Sequence, residues 1–498
     1  MNVNPITRLD YPDPDVIRVE DTYYMVSTTM HFMPGCEILQ SFDLVHWEHV
    51  TYVYETLDHT DAQQLKSGHN IYGQGMWAAS LRYHEGRFYI CFVANDTRKT
   101  YLYTSEKIDG PWKKQLIEGF YHDASLLFDE DGRNYIVYGN DEIWITELNE
   151  DLTAPKKDGL HRLLVSDHKN PELGYEGSHI QKINGYYYIF LVHSLRDRWM
   201  RTEACFYSDS LEGEFTGGDV LCDDRGYCGQ GVAQGGIVDT PDGKWYAMLF
   251  QDSGAVGRIP ILLPVTWKDH FPVFGQNGHV PEEIEVHSTR PGYIYQPLVG
   301  SDDFCNGLLP RWQFNHDPDP RYYHLDALQG TYTITTREVC TELTQAVNTL
   351  TQRMSYPSCA AEVTVDASAL KEGDVAGLCA FQGCYAAVGI TKHHGKYEVL
   401  MLDKKEDGIL DMTEGTVVES HQMDFRLEAD FCNMKDEARC YYRVNKGDWL
   451  PIGTVHKLYF KLDHFTGCRF GLFCYAAEKT GGSACFRDFK YYDVDEIS

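Results

Sequence analysis

Asn184-Gly185-Tyr186-Tyr187-Tyr188-Ile189 reads as a tight turn running into an aromatic-rich strand, and four other stretches of the 498-residue chain have the same form. They are Glu20-Asp21-Thr22-Tyr23-Tyr24-Met25, Glu85-Gly86-Arg87-Phe88-Tyr89-Ile90, Asp131-Gly132-Arg133-Asn134-Tyr135-Ile136 and Asp242-Gly243-Lys244-Trp245-Tyr246-Ala247. Four of the five carry a glycine in the turn, the residue that a tight hairpin loop with positive φ favours. The second aromatic falls at Tyr24, Tyr89, Tyr135, Tyr188 and Tyr246, in steps of 65, 46, 53 and 58 residues. Such steps fit four-stranded blades with loops of variable length, so the spacing predicts a five-bladed β-propeller. A large β-sandwich whose hairpins merely look alike is the alternative.

Around the repeats the chain is strand-like nearly throughout. Runs such as Phe88 to Val93 and Tyr135 to Tyr138 are frequent, and sustained apolar stripes of helical period are not evident. Near residues 281 to 301 the repeat stops, in Pro281-Glu282-Glu283-Ile284 and Arg290-Pro291-Gly292. Short alternating segments follow, among them Cys359 to Val365, Tyr385 to Ile390 and Arg469 to Cys474. The expected organisation is therefore all-β: a propeller over residues 1–295 and a β-sandwich over residues 302–498.

Composition narrows the function. With 44 Lys+Arg against 74 Asp+Glu the net charge is −30, a field that repels phosphate backbones and anionic lipid surfaces. Nucleic-acid and membrane partners are set aside on that ground. Aromatic residues at 13% suit strands and sugar-facing clefts. The opening residues lack a basic segment followed by an apolar one, and no apolar run approaches the roughly 18 residues of a membrane span. The chain has fifteen cysteines and no Cys-x-x-Cys, and several lie in apolar runs (Cys91, Cys205, Cys379, Cys474). They read as reduced core thiols, and the expected location is the cytoplasm.

The innermost strand of each propeller blade borders the central channel, so residues at a shared phase before each repeat converge on the axis. Twelve residues before the repeat tyrosines stand Trp77, Asp123, Glu176 and Gln234, and Asp13 stands eleven before Tyr24. Three of the five slots are carboxylates. Carboxylates gathered where water is scarce repel one another, which raises at least one pKa and leaves a protonated acid beside an ionised base. Glycoside hydrolysis with inversion needs that pair, at a separation of roughly 6.5 to 9.5 Å.

These stretches resemble glycoside hydrolase family 43, in its two-domain branch of β-xylosidases and α-L-arabinofuranosidases. Asn4-Pro5 with Tyr11-Pro12-Asp13-Pro14 is similar to the family's opening, which implies that Asp13 is the general base. His122-Asp123-Ala124-Ser125 resembles the segment of the third acid, which orients the proton donor and raises its pKa, and Tyr175-Glu176-Gly177-Ser178-His179 that of the donor itself. Gly257-Arg258-Ile259-Pro260 implies a substrate-clamping cation at Arg258. Trp312 to His316 and Asn348 to Arg353 resemble the concanavalin-like sandwich appended to such enzymes, and the resemblance implies that this sandwich helps close the pocket.

The implied activity is exo-acting, inverting release of terminal xylose or arabinofuranose from xylan- or arabinoxylan-derived oligosaccharides. Trp77, Phe32 and Met30 are the expected sugar platform, with Gln234 a further substrate contact. Where many β-xylosidases have Phe-Glu-Trp-Phe-Pro-Gly, this chain has Met30-His31-Phe32-Met33-Pro34-Gly35, which points to a different terminal pocket. No catalytic metal is expected, since residues 231–236 lack a histidine, although a structural or channel calcium is compatible with the resemblance. His316-Asp317-Pro318-Asp319-Pro320 is either a loop over the cleft or a rigid surface turn. The rival from another class is a non-catalytic carbohydrate-binding propeller.

Overall fold

A computed structural model describes residues 2–493. Five four-stranded antiparallel sheets stand around one axis. Their innermost strands are Asp15–Val19, Met76–His84, Ser125–Phe128, Glu176–Ile183 and Val232–Asp239. Each repeat tyrosine lies in the second strand of its blade, opposite an inner-strand residue: Tyr24 faces Ile17 and Tyr188 faces Gln181.

The repeat aromatics fasten one blade to the next. Tyr24 meets Phe88 of blade 2 edge-on at 5.8 Å, Tyr89 meets Phe128 of blade 3 at 4.6 Å, and Tyr188 meets Trp267 of blade 5 at 5.2 Å. Rings at these separations bury large apolar area, and the edge-on Tyr24–Phe88 and Tyr188–Trp267 pairs add edge-to-face attraction, about 0.5–1.5 kcal/mol per pair. The ring of blades closes through the chain start. Asn2–Val3 pairs with Glu283–Ile284, and the Asn4 side chain both donates to and accepts from the backbone of Leu262 in blade 5.

Two further sheets, nine-stranded and seven-stranded, face each other across one core that includes Trp312, Leu378, Val388, Phe425 and Phe486. Blade 1 contributes to this second unit. Phe32–Met33, between the second and third strands of the blade, adds as an edge strand to the nine-stranded sheet beside Gln313–Asn315. Ala255, Val256 and Ile259 of blade 5 join the sandwich core. The buried Arg353–Glu37 ion pair, at 2.9 Å, crosses the same junction. The Asp10 carboxylate accepts N–H bonds from Arg258 of the propeller and Gly467 of the sandwich, both at 2.8 Å. Packing of this kind fixes the sandwich loop at residues 460–465 over one end of the propeller.

Candidate active site

At that end lies a cavity of about 680 Å³, within the range of small-molecule sites. Asp13, Trp77, Asp123, Glu176, Gln234 and Arg258 all line it. Three of the shared-phase residues sit in the left-handed region, with φ of 52° at Asp13, 48° at Asp123 and 64° at Gln234. Such backbone persists only where its surroundings impose it, and here it turns side chains off the inner strands toward the axis. Bulges at Met76/Ala79, Glu176/His179 and Ala233/Gly236 do the same for blades 2, 4 and 5.

Asp13 and Arg258 form one side. The guanidinium reaches both carboxylate oxygens through Nη1, at 3.1 and 3.3 Å, and the Thr28 hydroxyl donates to Oδ2 at 2.5 Å. Arg258 lies 4.2 Å over the ring of Phe465 from the sandwich, and its Nε and Nη2 are buried with no acceptor among the described residues. Those donors suit sugar hydroxyls. Gly257 must be glycine, with φ +106° and the place of a Cβ only 2.3 Å from Asp10.

Asp123, Glu176 and His122 form the other side. His122 Nε2 stands 3.6 Å from Asp123 and 3.5 Å from Glu176. Asn140 donates to Glu176 at 2.7 Å, and the Gly177 N–H donates to Asp123 at 3.1 Å. Burial alone would pull the His122 imidazole down, but Asp123 and then Glu176 outweigh it and push it up to about 9. Burial pushes the Asp123 carboxyl up to about 6, against the pull of His122 and with repulsion from Glu176 and Asp13. Burial would also raise Glu176, yet His122, Arg201 and Asn140 hold it below the usual carboxylate range. Of Asp123 and Glu176, the raised carboxyl in the free protein is thus Asp123. Glu176 differs from the expected raised donor because an imidazolium stands beside it.

His122, Asp123 and Glu176 are also the one group among the described residues with metal-ligand spacing, their ligand atoms all within 4.8 Å of one another. A channel cation does not fit lower on the axis. There Arg82 of blade 2 donates to Asp15 of blade 1, to Ser125 and the Leu126 carbonyl of blade 3, and to the Ile180 carbonyl of blade 4. A guanidinium already supplies the positive charge at that level.

A family model for glycosyl hydrolases family 43 matches residues 3–272, more than half of the chain. The chain belongs to that family. A model for the β-xylosidase C-terminal concanavalin A-like domain matches residues 301–492 of this family 43 chain. The solved structure of a bifunctional GH43-CE protein of Bacteroides eggerthii superposes with TM-score 0.93 at 42% identity, covering 100% of this chain and 64% of that one. The family 43 chain thus spans just under two thirds of that protein. A GH43 glycoside hydrolase engineered to display both endo-xylanase and exo-arabinofuranosidase activity superposes at 28% identity and TM-score 0.85, over 99% of both chains. A β-xylosidase of Formosa agariphila is 26% identical over 99% of this chain and 89% of its own length.

Met30 and Phe32, expected in the sugar platform, do not line the cavity and are corrected. Met30 is buried in a bridge to Met76 of blade 2, and Phe32 is buried under the Arg469 guanidinium, 3.5 Å from its ring, because Phe32–Met33 joins the sandwich sheet. His316 is neither a loop over the cleft nor a surface turn. It is buried beside His31 and Tyr72 at the junction, with ring centroids 5.0 and 4.6 Å away. The cavity also has walls that the sequence reading passed over: His122, Asn140, Trp199, Arg201, Asp252 and the sandwich residues Phe460 to Leu462 and Phe465. His122 directly precedes Asp123, which was signal enough. The sandwich residues carry no local mark of a site.

Proposed function

We propose that the chain is an exo-acting, inverting glycosidase that releases terminal xylose or arabinofuranose from xylan- or arabinoxylan-derived oligosaccharides. The observation that carries this is the meeting of Asp13 with Glu176 and Asp123 in one cavity, from blade 1 on one side and blades 3 and 4 on the other. Blades 1 and 4 are not neighbours, so the base and the acid enter the cavity from different sides of the axis, the arrangement that an inverting pair with a sugar and a water between its members calls for. The sandwich loop over the cavity favours action at chain ends, and the names of the relatives supply the sugars.

Asp13, kept in place by Thr28 and Arg258, takes a proton from water as its oxygen bonds to the anomeric carbon. Glu176 gives a proton to the leaving oxygen as the glycosidic bond breaks, and the proton returns from Asp13 through solvent. In the free protein the proton nearest Glu176 sits on His122. When the sugar excludes water, two neutral groups are favoured over an ion pair, and the proton passes to Glu176. Asp123 orients both through the Gly177 N–H and His122. Arg258, Trp77 and Gln234 hold the terminal sugar. The two carboxyls suffice for the chemistry, so the reading includes no cofactor. The fifteen cysteines, all unpaired thiols, support a reducing compartment, proposed as the cytoplasm.

The test is initial rates on an aryl β-D-xyloside and an aryl α-L-arabinofuranoside, for the parent and for Asp13→Asn and Glu176→Gln. Hydrolysis of either by the parent, severe loss in both variants with folding intact, and inverted product by proton NMR are expected. Full activity of a variant, or retention at the anomeric carbon, would overturn the assignment.

A further inference from the structure

Glu203, in the third strand of blade 4 (Arg201–Ser208), is fully buried, yet the reaction as described makes no use of it. Its Oε2 accepts the backbone N–H of Gln234 at 2.7 Å, and its Oε1 has no partner among the described residues. Burial pushes its carboxyl well above the usual range, eased only by that N–H. A leucine would fill this strand position without the penalty of a buried polar group, so the carboxyl needs a reason for being there.

The reason lies at its one side-chain hydrogen bond. Gln234 occupies the bulge between Ala233 and Gly236, where the ladder leaves its N–H unpaired, and its φ of 64° is strained for a residue with a side chain. The Gln234 side chain presses on Gly177, where the place of a Cβ is 2.7 Å from Gln234 Cγ and 2.9 Å from Cδ. Gly177 in turn follows Glu176 in the chain and donates to Asp123. One path of contacts therefore runs from Glu203 through Gln234 and Gly177 to both carboxyls of the acid side.

We propose that Glu203 is a positioning residue: it fixes the left-handed Gln234, whose side chain wedges against Gly177 and so sets where Glu176 and Asp123 stand. The catalytic consequence rests on the glycosidase reading, whereas the effect on Gln234 does not. In Glu203→Leu, kcat falls about tenfold, the worth of one buried hydrogen bond, with KM changed less. Glu203→Gln, which keeps an acceptor oxygen, brings kcat back to within about threefold of the parent. In a Gln234→Ala background Glu203→Leu costs little more, because contacts on one path are not additive.

Hydrogen exchange at the Gln234 amide, followed by mass spectrometry, is about tenfold faster in Glu203→Leu than in the parent and slows again in Glu203→Gln. This holds whether or not either aryl glycoside is cleaved, so failure of the glycosidase reading and failure of this proposal are told apart. Parent-like kcat in Glu203→Leu, full additivity with Gln234→Ala, or unchanged exchange at Gln234 would overturn it. If Glu203→Leu does not fold, Glu203→Met takes its place. If neither folds, Glu203 serves the fold as a whole and the proposal is wrong.

Discussion

Replacing His122 with asparagine removes a charge from the acid side of the cavity while leaving its oxygens in place. His122 Nε2 stands 3.5 Å from Glu176, and at an effective dielectric constant of about 20 a full charge pair at that distance is worth ~5 kcal/mol. That bounds the change in proton affinity of Glu176 at on the order of a thousandfold, each tenfold being about 1.4 kcal/mol. The sign is fixed by which group holds the proton. In the parent the shared proton is lost as pH rises through the His122 value of about 9. Without the imidazole the proton resides on the two carboxyls, and Asp123, at about 6 beside His122, rises once that cation's downward pull is gone. The alkaline limb of kcat/KM should therefore follow a carboxyl rather than an imidazolium and move toward neutral pH in His122→Asn. The assay is a pH profile with a nitrophenyl glycoside, run beside a dinitrophenyl glycoside whose leaving group needs no proton and whose alkaline limb should hardly move. The limbs report the cluster rather than any one group. An alkaline limb in the same place in parent and variant would refute the reasoning.

Three further outcomes are expected. Gly177→Ala adds a Cβ at 2.7 Å from Gln234 Cγ at a φ of +66°, so kcat should fall about a hundredfold with a stability loss of ~1–3 kcal/mol, read by kinetics and thermal melting. Phe465→Ala removes the ring under Arg258 and one wall of the cavity, so KM for the aryl glycoside should rise several-fold while the melting temperature moves little; an unchanged KM would mean that the sandwich does not touch substrate. His31, His316 and His464 are buried together at the junction, and burial holds all three below the usual imidazole range, His464 at about 3. Groups lowered in the folded state favour the neutral form, so their contribution is present above about pH 6.5 and is lost as pH falls. Stability in denaturant should drop between pH 6.5 and 4.5, and His464→Leu should flatten that slope.

The propeller was legible because its repeat is a packing device. Each tight turn delivers a tyrosine to the next blade, so the spacing of Tyr24, Tyr89, Tyr135, Tyr188 and Tyr246 records the architecture itself. The meeting of Asp13, Asp123 and Glu176 in one cavity was legible for a related reason, since a nearly constant offset before each repeat tyrosine falls at the start of an inner strand, beside the axis. Met30 and Phe32 were misread because side-chain type does not say which sheet a segment joins: Met30 bridges Met76 of blade 2, and Phe32 joins the sandwich. Trp199 and Arg201 lie just outside the shared phase, on the loop and third strand of blade 4, and no local pattern sets them apart from ordinary strand residues.

The protonation of the site was the part least open to sequence. Three carboxylates near one axis imply that one must rise, and one does, but which one depends on where a cation stands. His122 is one residue from Asp123 and 54 residues from Glu176, and only the fold shows that its Nε2 lies nearly equidistant from both. The same holds for Arg201, whose charge also bears on Glu176 while its Nε is held by Asp252 at 2.9 Å. Placing carboxyls on a propeller axis thus fixes that a proton must be stored there, and the cations from blades 3 and 4 decide which atom stores it until a sugar arrives.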